Sequence, residues 1–343
     1  MPNEIVTRAL DRVAQREDLS AAEAADVLRE IMEGRGSEAE SAAFLMALRT
    51  KGESVDEVVG LARTMRSLAR RVEVGRDDLL DTAGTGGGRP TFNVSTTAAF
   101  VAAGAGVAVA KHGNRSATGL SGSADVLEAL GARIDLEPPA VAECIDSVGF
   151  GFMFAPLHHG AMRHVVPIRR ALGVRTVFNF LGPLTNPAGA TRQLIGVSDR
   201  AHLDTIALAL GELGGHSALV VSSEDGLDEI SASGATRAVE LRDGRTRELT
   251  LTPEDAGLER VPLDRLGPGT PEQNAAIARA VLDGDGGPER ATTVINAGAA
   301  LYVAGRFESL ADGVRRAEQT IDSGAATAAL AGFVELSTEL APR

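Results

Sequence analysis

The sequence has no Trp, one Tyr (Tyr302) and one Cys (Cys144) in 343 residues. A single cysteine excludes an intrachain disulfide and a cysteine-built zinc site. So few aromatics leave little surface on which exposed bases could stack. Long apolar runs are also lacking, and none reaches the roughly 18 residues that a membrane-crossing helix needs. The opening MPNEIVTRALDR has no apolar signal core, so a cytoplasmic protein with no membrane partner is expected. There is no basic excess either. The formal net charge is -13, which argues against nucleic acid as a partner. A local positive patch in so acidic a chain reads as a site for a small anion.

The chain is 44% hydrophobic and 24% charged, a composition that folds, and is long enough for one large domain or two ordinary ones. The first 72 residues read as four short helices. Ser20 with Glu23, Ser37 with Glu40 and Ser54 with Glu57 have capping-box spacing. Apolar residues recur at helical intervals, as in Ile5, Ala9 and Val13, or Val58, Ala62 and Met65. No chemistry is visible there, and a packing or assembly module is expected. From about residue 78 the texture changes. Short β-like runs (DLLDTAG, GVAVAKHG, HSALVVSSEDG) alternate with Ala-rich helical runs, and the tail from about 272 is mostly helical. That alternation predicts an α/β domain with a largely parallel sheet.

Glycines 84, 86, 87 and 88 fall in the stretch DTAGTGGG, followed by NVST at 93–96. A strand-to-helix glycine loop is a tight turn, a dinucleotide fingerprint or a phosphate cradle. The G-x-G-x-x-G pattern fails, because Arg89 stands at the third glycine position. The next strand ends in Lys111-His112 rather than the acid a ribose would need. The Walker pattern fails as well. A cradle fits better: backbone N–H groups, the helix N-terminus and the hydroxyls of Ser95, Thr96 and Thr97 all favour a phosphate. A structural turn stays open.

Three more segments carry chemistry. KHGNRSATGLSGSAD (111–125) puts Lys111 and Arg115 at a sheet edge, with His112 and Asn114 between them. DGLDE (225–229) follows a strand, and its adjacent carboxylates suit magnesium together with phosphate oxygens, or form a solvated acidic turn. Arg163, Arg169, Arg170 and Arg175 crowd the segment 158–187. They are suited to a planar carboxylate, or lie on a solvated helix face.

Taken together these stretches resemble the anthranilate phosphoribosyltransferases, nucleoside-phosphorylase-like transferases of tryptophan biosynthesis. The matching segments are GTGG (84–87), NVST (93–96), KHGNR (111–115), SGSADVLEALG (121–131), FAP (154–156), RR (169–170), VFNFLGPLTNP (177–187) and DGLDE (225–229), in the family's order. The helical N-terminus and the tail resemble it too. The resemblance implies a small all-helical N-terminal domain plus a large α/β domain with a mostly parallel central sheet. The small domain would take residues 1–72 with 161–188, for dimerisation and the anthranilate side. The large domain would take 73–160 with 189–343, for phosphoribosyl pyrophosphate (PRPP) and Mg2+.

The resemblance also implies the reaction and its residues. The family joins PRPP to the amino group of anthranilate, releases pyrophosphate, needs Mg2+ and is usually a homodimer. On matched positions PRPP would be held by Gly84, Thr85, Gly86, Gly87, Asn93, Ser95, Thr96, Lys111 and Ser123. Anthranilate would meet Gly84, Asn114 and Arg169, with Arg169 on its carboxylate. His112, Asn114 and Arg169 would form the catalytic group, and Ser95, Asp228 and Glu229 the metal site. Two positions depart from the family. Gly88 stands where Asp usually follows GTGG, so PRPP affinity or metal handling is expected to change. Met162 stands where many relatives carry an aromatic residue, which leaves a related aromatic amine acid as an alternative acceptor. A pyrimidine nucleoside phosphorylase and a non-enzymatic nucleic-acid-binding paralogue remain the competing readings.

Overall fold

The computed structural model describes residues 2–116 and 119–342. Four helices open the chain: α1 (Glu4–Ala14), α2 (Ala21–Met32), α3 (Glu38–Lys51) and α4 (Val55–Leu68). All three expected capping boxes are formed, at Ser20, Ser37 and Ser54. Each gives the free N–H groups of a helix start a side-chain acceptor, a contribution of about 1 kcal/mol. The box acid Glu57 is fully buried and also holds the Lys51 ammonium at 2.9 Å and the Leu19 N–H at 3.0 Å. The same carboxylate thus caps one helix and fastens it to its neighbours.

Seven strands form one sheet: β1 (Leu80–Asp81), β2 (Val109–Gly113), β3 (Phe150–Phe154), β4 (Arg192–Gly196), β5 (Ser217–Ser223), β6 (Thr236–Arg242) and β7 (Arg245–Leu251). Their order is β3-β2-β1-β4-β5-β6-β7. The first five run parallel, β6 runs antiparallel to β5, and β7 runs antiparallel to β6. Asp243 and Gly244, both at positive φ (50° and 73°), turn the chain between β6 and β7. Both residue types tolerate the primed hairpin turn that matches strand twist.

Side chains alternate across the sheet and feed two cores. Leu194, Leu219 and Val221 face one core, built around Phe100, Phe150 and Phe333. Ile195, Ala218 and Val220 face the other, which also takes in α1–α4 and the segment from Val165 to Leu184. The helical N-terminus is therefore continuous with one face of the sheet.

β1 sits between β2 and β4, and the chain moves outward on either side of it. Loops after β1, β4 and β5 consequently gather at the carboxyl end of the sheet, where open α/β sheets bind ligands. α5 (Val94–Gly104) starts at the end of the glycine loop, and α6 (Ser123–Ala129) follows the loop after β2.

Candidate active site

Asp81, the last residue of β1, is fully buried. Its Oδ1 accepts the N–H of Ala83 at 3.0 Å and of His112 at 3.2 Å. Its Oδ2 accepts from Asn186 Nδ2 at 2.7 Å. Burial pushes its pKa up to about 6, against the pull of Lys111 and these donors. One carboxylate thereby ties together the glycine loop, the KHGN strand and the GPLTNP turn.

The glycine loop lies against the DGLDE turn. Thr85 donates its N–H to the Gly196 carbonyl at 2.8 Å, and Arg89 donates to the Gly226 carbonyl at 2.7 Å. Gly86 (φ 64°) and Gly87 (φ 84°) are left-handed. A Cβ on Gly88 would lie 2.5 Å from Asp228 Oδ1, and one on Gly196 would overlap the Asp228 carbonyl. Glycine at these positions lets the loop, the end of β4 and the acidic turn stack backbone on backbone.

Lys111 is buried in β2. Its ammonium donates to Thr82 O (3.2 Å), Thr82 Oγ1 (3.0 Å) and Ser95 Oγ (3.2 Å). Those bonds use its three protons inside the protein, so what it offers a ligand is field and the orientation of Ser95. Burial lowers its pKa, and Asp81 and Glu229 oppose that. Glu229 is half-buried, and the Ser95 N–H at the start of α5 favours its charged form. Its pKa is pushed up to about 8, first by burial and then by Asp228, with Lys111 pulling the other way. Asp228, also half-buried, is raised by burial, and Arg175 and the N–H groups of Gly88 and Gly86 oppose it. Asn296, from the buried helix Pro288–Val303, fixes the turn: it accepts the Ile230 N–H and donates to the Ile230 carbonyl, both at 2.9 Å.

On the other side of KHGN stand the histidines. His112 is buried, and its Nδ1 lies 3.2 Å from the Gly182 carbonyl. A carbonyl only accepts, so Nδ1 carries the proton and Nε2 keeps its lone pair. That Nε2 is buried without a partner among the described residues. Burial, then His159 and His158, hold the His112 pKa well below its usual value. The His159 ring lies 5.1 Å from that of His112. Arg169 is half-buried, 5.6 Å over the Phe178 ring, and burial lowers its pKa. The short helix Phe178–Leu181 leads from that ring to Gly182, and so to His112.

Several expected groups point elsewhere. Arg115 turns away from the sheet edge and pairs with Asp125 (2.8 Å) and Glu128 (2.5 Å), so Lys111 supplies the local charge. Thr97 is buried and bonds back to the Asn93 carbonyl at 3.0 Å, while Thr96 is buried with its hydroxyl unpartnered among the described residues. Of the three hydroxyls, only Ser95 joins the cluster. The Asn93 side chain meets Ser121 (3.0 Å) and Asn274 (2.8 Å). Asn114 is exposed, with its Oδ1 on the Arg115 N–H. Ser123, half-buried, opens α6 beside Gly113. Asp225 takes the hydroxyls of Ser223 and Ser231 and is a turn residue. Residues 117 and 118 of this loop lie outside the described residues.

Sequence alone does not single out Asp81, Asn186 or His159. For the first, the available signal is an Asp that ends a strand just before a glycine loop. Only the fold brings Asn186 to it and His159 to His112.

Among the described residues, no group of three or more His, Cys, Asp or Glu forms a metal cage, and no helix is long and apolar enough to cross a membrane. Asp228, Glu229 and the Ser95 hydroxyl nevertheless fit Mg2+. They are hard oxygen donors, and the mutual repulsion that raises Glu229 is what a cation relieves. Mg2+ commonly completes its shell from phosphate and water, so two carboxylates suffice.

The chain matches the glycosyl transferase family a/b domain over residues 76–327, and that family's helical bundle domain over 7–69. It is 53% identical to anthranilate phosphoribosyltransferase of Moorella thermoacetica, over 95% of this chain and 96% of that one. Among solved structures it is similar to anthranilate phosphoribosyltransferase from Thermus thermophilus (46% identity, TM-score 0.91, covering 96% of this chain and 99% of that one). It is also similar to the Saccharomyces cerevisiae enzyme in complex with PRPP and Mg (28% identity, TM-score 0.88, covering 98% of each chain).

Proposed function

The chain belongs to the anthranilate phosphoribosyltransferase family, and from that premise we infer which of its residues perform the transfer. It moves the phosphoribosyl group of PRPP to the amino group of anthranilate, giving N-(5-phosphoribosyl)anthranilate and pyrophosphate, in tryptophan biosynthesis, with Mg2+ as cofactor. The observation that carries the residue assignment is the meeting of Lys111, Ser95, Asp228 and Glu229 around the glycine loop.

PRPP is a polyanion, and this chain is acidic. The loop N–H groups at Gly86 and Gly88 receive its phosphates, supported by the start of α5 and the field of Lys111. Asp228 and Glu229, with Ser95, would hold Mg2+, and when bound it would supply positive charge against the departing pyrophosphate. As the C–O bond to pyrophosphate breaks, the ribosyl carbon gains oxocarbenium character, and the neutral amine attacks from the opposite face. Arg169 takes the anthranilate carboxylate through its planar fork. His112 Nε2, an acceptor kept neutral by burial, faces the amine and receives its N–H. No strong base is required, because the amine loses its proton readily once bonded. Positioning of the two reactants is the rest of the task.

We assign the helical domain to residues 1–72 with 161–188. The core shared by α1–α4 and the segment from Val165 to Leu184 supports this. A homodimer through that domain is the expected assembly. The exposed Val166 and Val174, on the 161–188 connector, give it an apolar contact. A cytoplasmic location fits a buried lone thiol, Cys144, that needs no oxidising compartment.

Mixing the protein with anthranilate, PRPP and Mg2+ while following anthranilate fluorescence tests the assignment directly. The chain has no Trp to interfere. A signal loss that needs all three components is expected. No loss with PRPP still bound would overturn anthranilate as the acceptor.

A further inference from the structure

Of the four arginines between 163 and 175, Arg163 and Arg170 are exposed, and Arg169 packs on Phe178. Arg175 does something else. Its backbone follows the helix Val166–Leu172 in the connector, but its guanidinium reaches the glycine loop. Nη1 and Nη2 lie 3.5 and 3.4 Å from the Gly86 carbonyl. A Cβ on Gly87 would collide with Nη1, so the cation rests directly on the loop backbone. Its charge also acts on Asp228, alongside the N–H groups of Gly88 and Gly86. A solvent-exposed cation therefore sits where the donors of the cradle and one acid of the metal pair converge.

Its present contacts are weak ones. Distances of 3.4–3.5 Å to a neutral carbonyl are long for a hydrogen bond. A guanidinium prefers phosphate oxygens, which it meets with two parallel charge-assisted bonds. PRPP brings such oxygens to this loop, and Mg2+ brings Asp228 a better partner than an arginine. We propose that Arg175 is a PRPP-binding residue that rests on the glycine loop beside Asp228 and exchanges those contacts for the pyrophosphate of the substrate. This rests on the reading of the loop as the PRPP cradle. It gives one connector two arginines with divided duties: Arg169 for the acceptor carboxylate and Arg175 for the donor pyrophosphate.

Calorimetric titration of PRPP with Mg2+, without anthranilate, reads binding apart from turnover. Wild type, Arg175→Ala and Arg175→Lys are compared, with KM for anthranilate measured alongside. The expected result is a PRPP Kd raised about tenfold or more in Arg175→Ala and less in Arg175→Lys, with anthranilate KM within about twofold. A wild-type Kd in both variants would overturn the proposal while leaving the cradle intact. A wild type that turns over no substrate and binds no PRPP would overturn the cradle itself, and the proposal with it.

Discussion

Asn186 Nδ2 donates to Asp81 Oδ2 at 2.7 Å, and both side chains are buried. The same Nδ2 donates to the Ala110 carbonyl at 2.9 Å, while Asn186 Oδ1 accepts the Ala188 N–H at 2.9 Å. Asp81 in turn holds the N–H groups of Ala83 and His112. Two side chains thus set the glycine loop, the KHGN strand and the GPLTNP turn in register.

Asn186→Ala should therefore be costly for its size. It leaves a buried carboxylate one donor short and the Ala110 carbonyl without its side-chain donor. A loss of about 3 kcal/mol is expected. Urea unfolding checks this, and a wild-type midpoint with an unchanged slope would remove the pair from its structural role.

Arg169→Ala should raise KM for anthranilate by about tenfold or more, and KM for PRPP by much less. The half-buried guanidinium has no ion pair among the described residues, so a substrate carboxylate has no competitor to displace. Steady-state kinetics with each substrate varied in turn decides the matter. Equal effects on both constants would point to a folding defect instead.

The parts of this chain legible in its sequence are those set by neighbours in the chain. Capping boxes at Ser20, Ser37 and Ser54 are signals carried by two residues three positions apart, and all three form. The strand-loop-helix texture after residue 78 is also local. Arg115 reads as a sheet-edge cation in sequence because its partners, Asp125 and Glu128, arrive only on the next helix. His159 gives no signal because its meaning lies in the His112 ring, 47 positions earlier in the chain and 5.1 Å away. Gly88 reads as a lost carboxylate. In the fold its missing Cβ is the space that Asp228 Oδ1 fills, so the departure admits one acid while omitting another.

Removing the charge of the acidic pair, with Asp228→Asn and Glu229→Gln together, keeps shape but takes both carboxylates out of the proposed metal site. Turnover should fall roughly a hundredfold, the scale of losing one preorganised electrostatic contact. The rise of rate with Mg2+ should also flatten. Rates over a Mg2+ series at fixed PRPP test this, and a curve of unchanged shape would take both residues out of the metal site.

The histidine cluster predicts a pH dependence of stability with a definite sign. Burial, then His158, holds the His159 pKa at about 4, against 6.5 for the free side chain. An unfolded chain therefore takes up this proton first as pH falls. The stabilisation is fully present above pH 6.5 and is lost between 6.5 and about 4, with a total of about 3 kcal/mol. His112 and His158, also lowered, act in the same direction. Asp81 and Glu229, held up to about 6 and about 8, oppose them, because a raised acid gains stability as pH falls. The measurement is thus a difference between wild type and His159→Gln, each unfolded by urea at several pH values without substrates. The gap between them should close or reverse toward pH 4, since the variant has no such proton to take up. Parallel stability curves across that window would show that His159 is not held neutral in the fold.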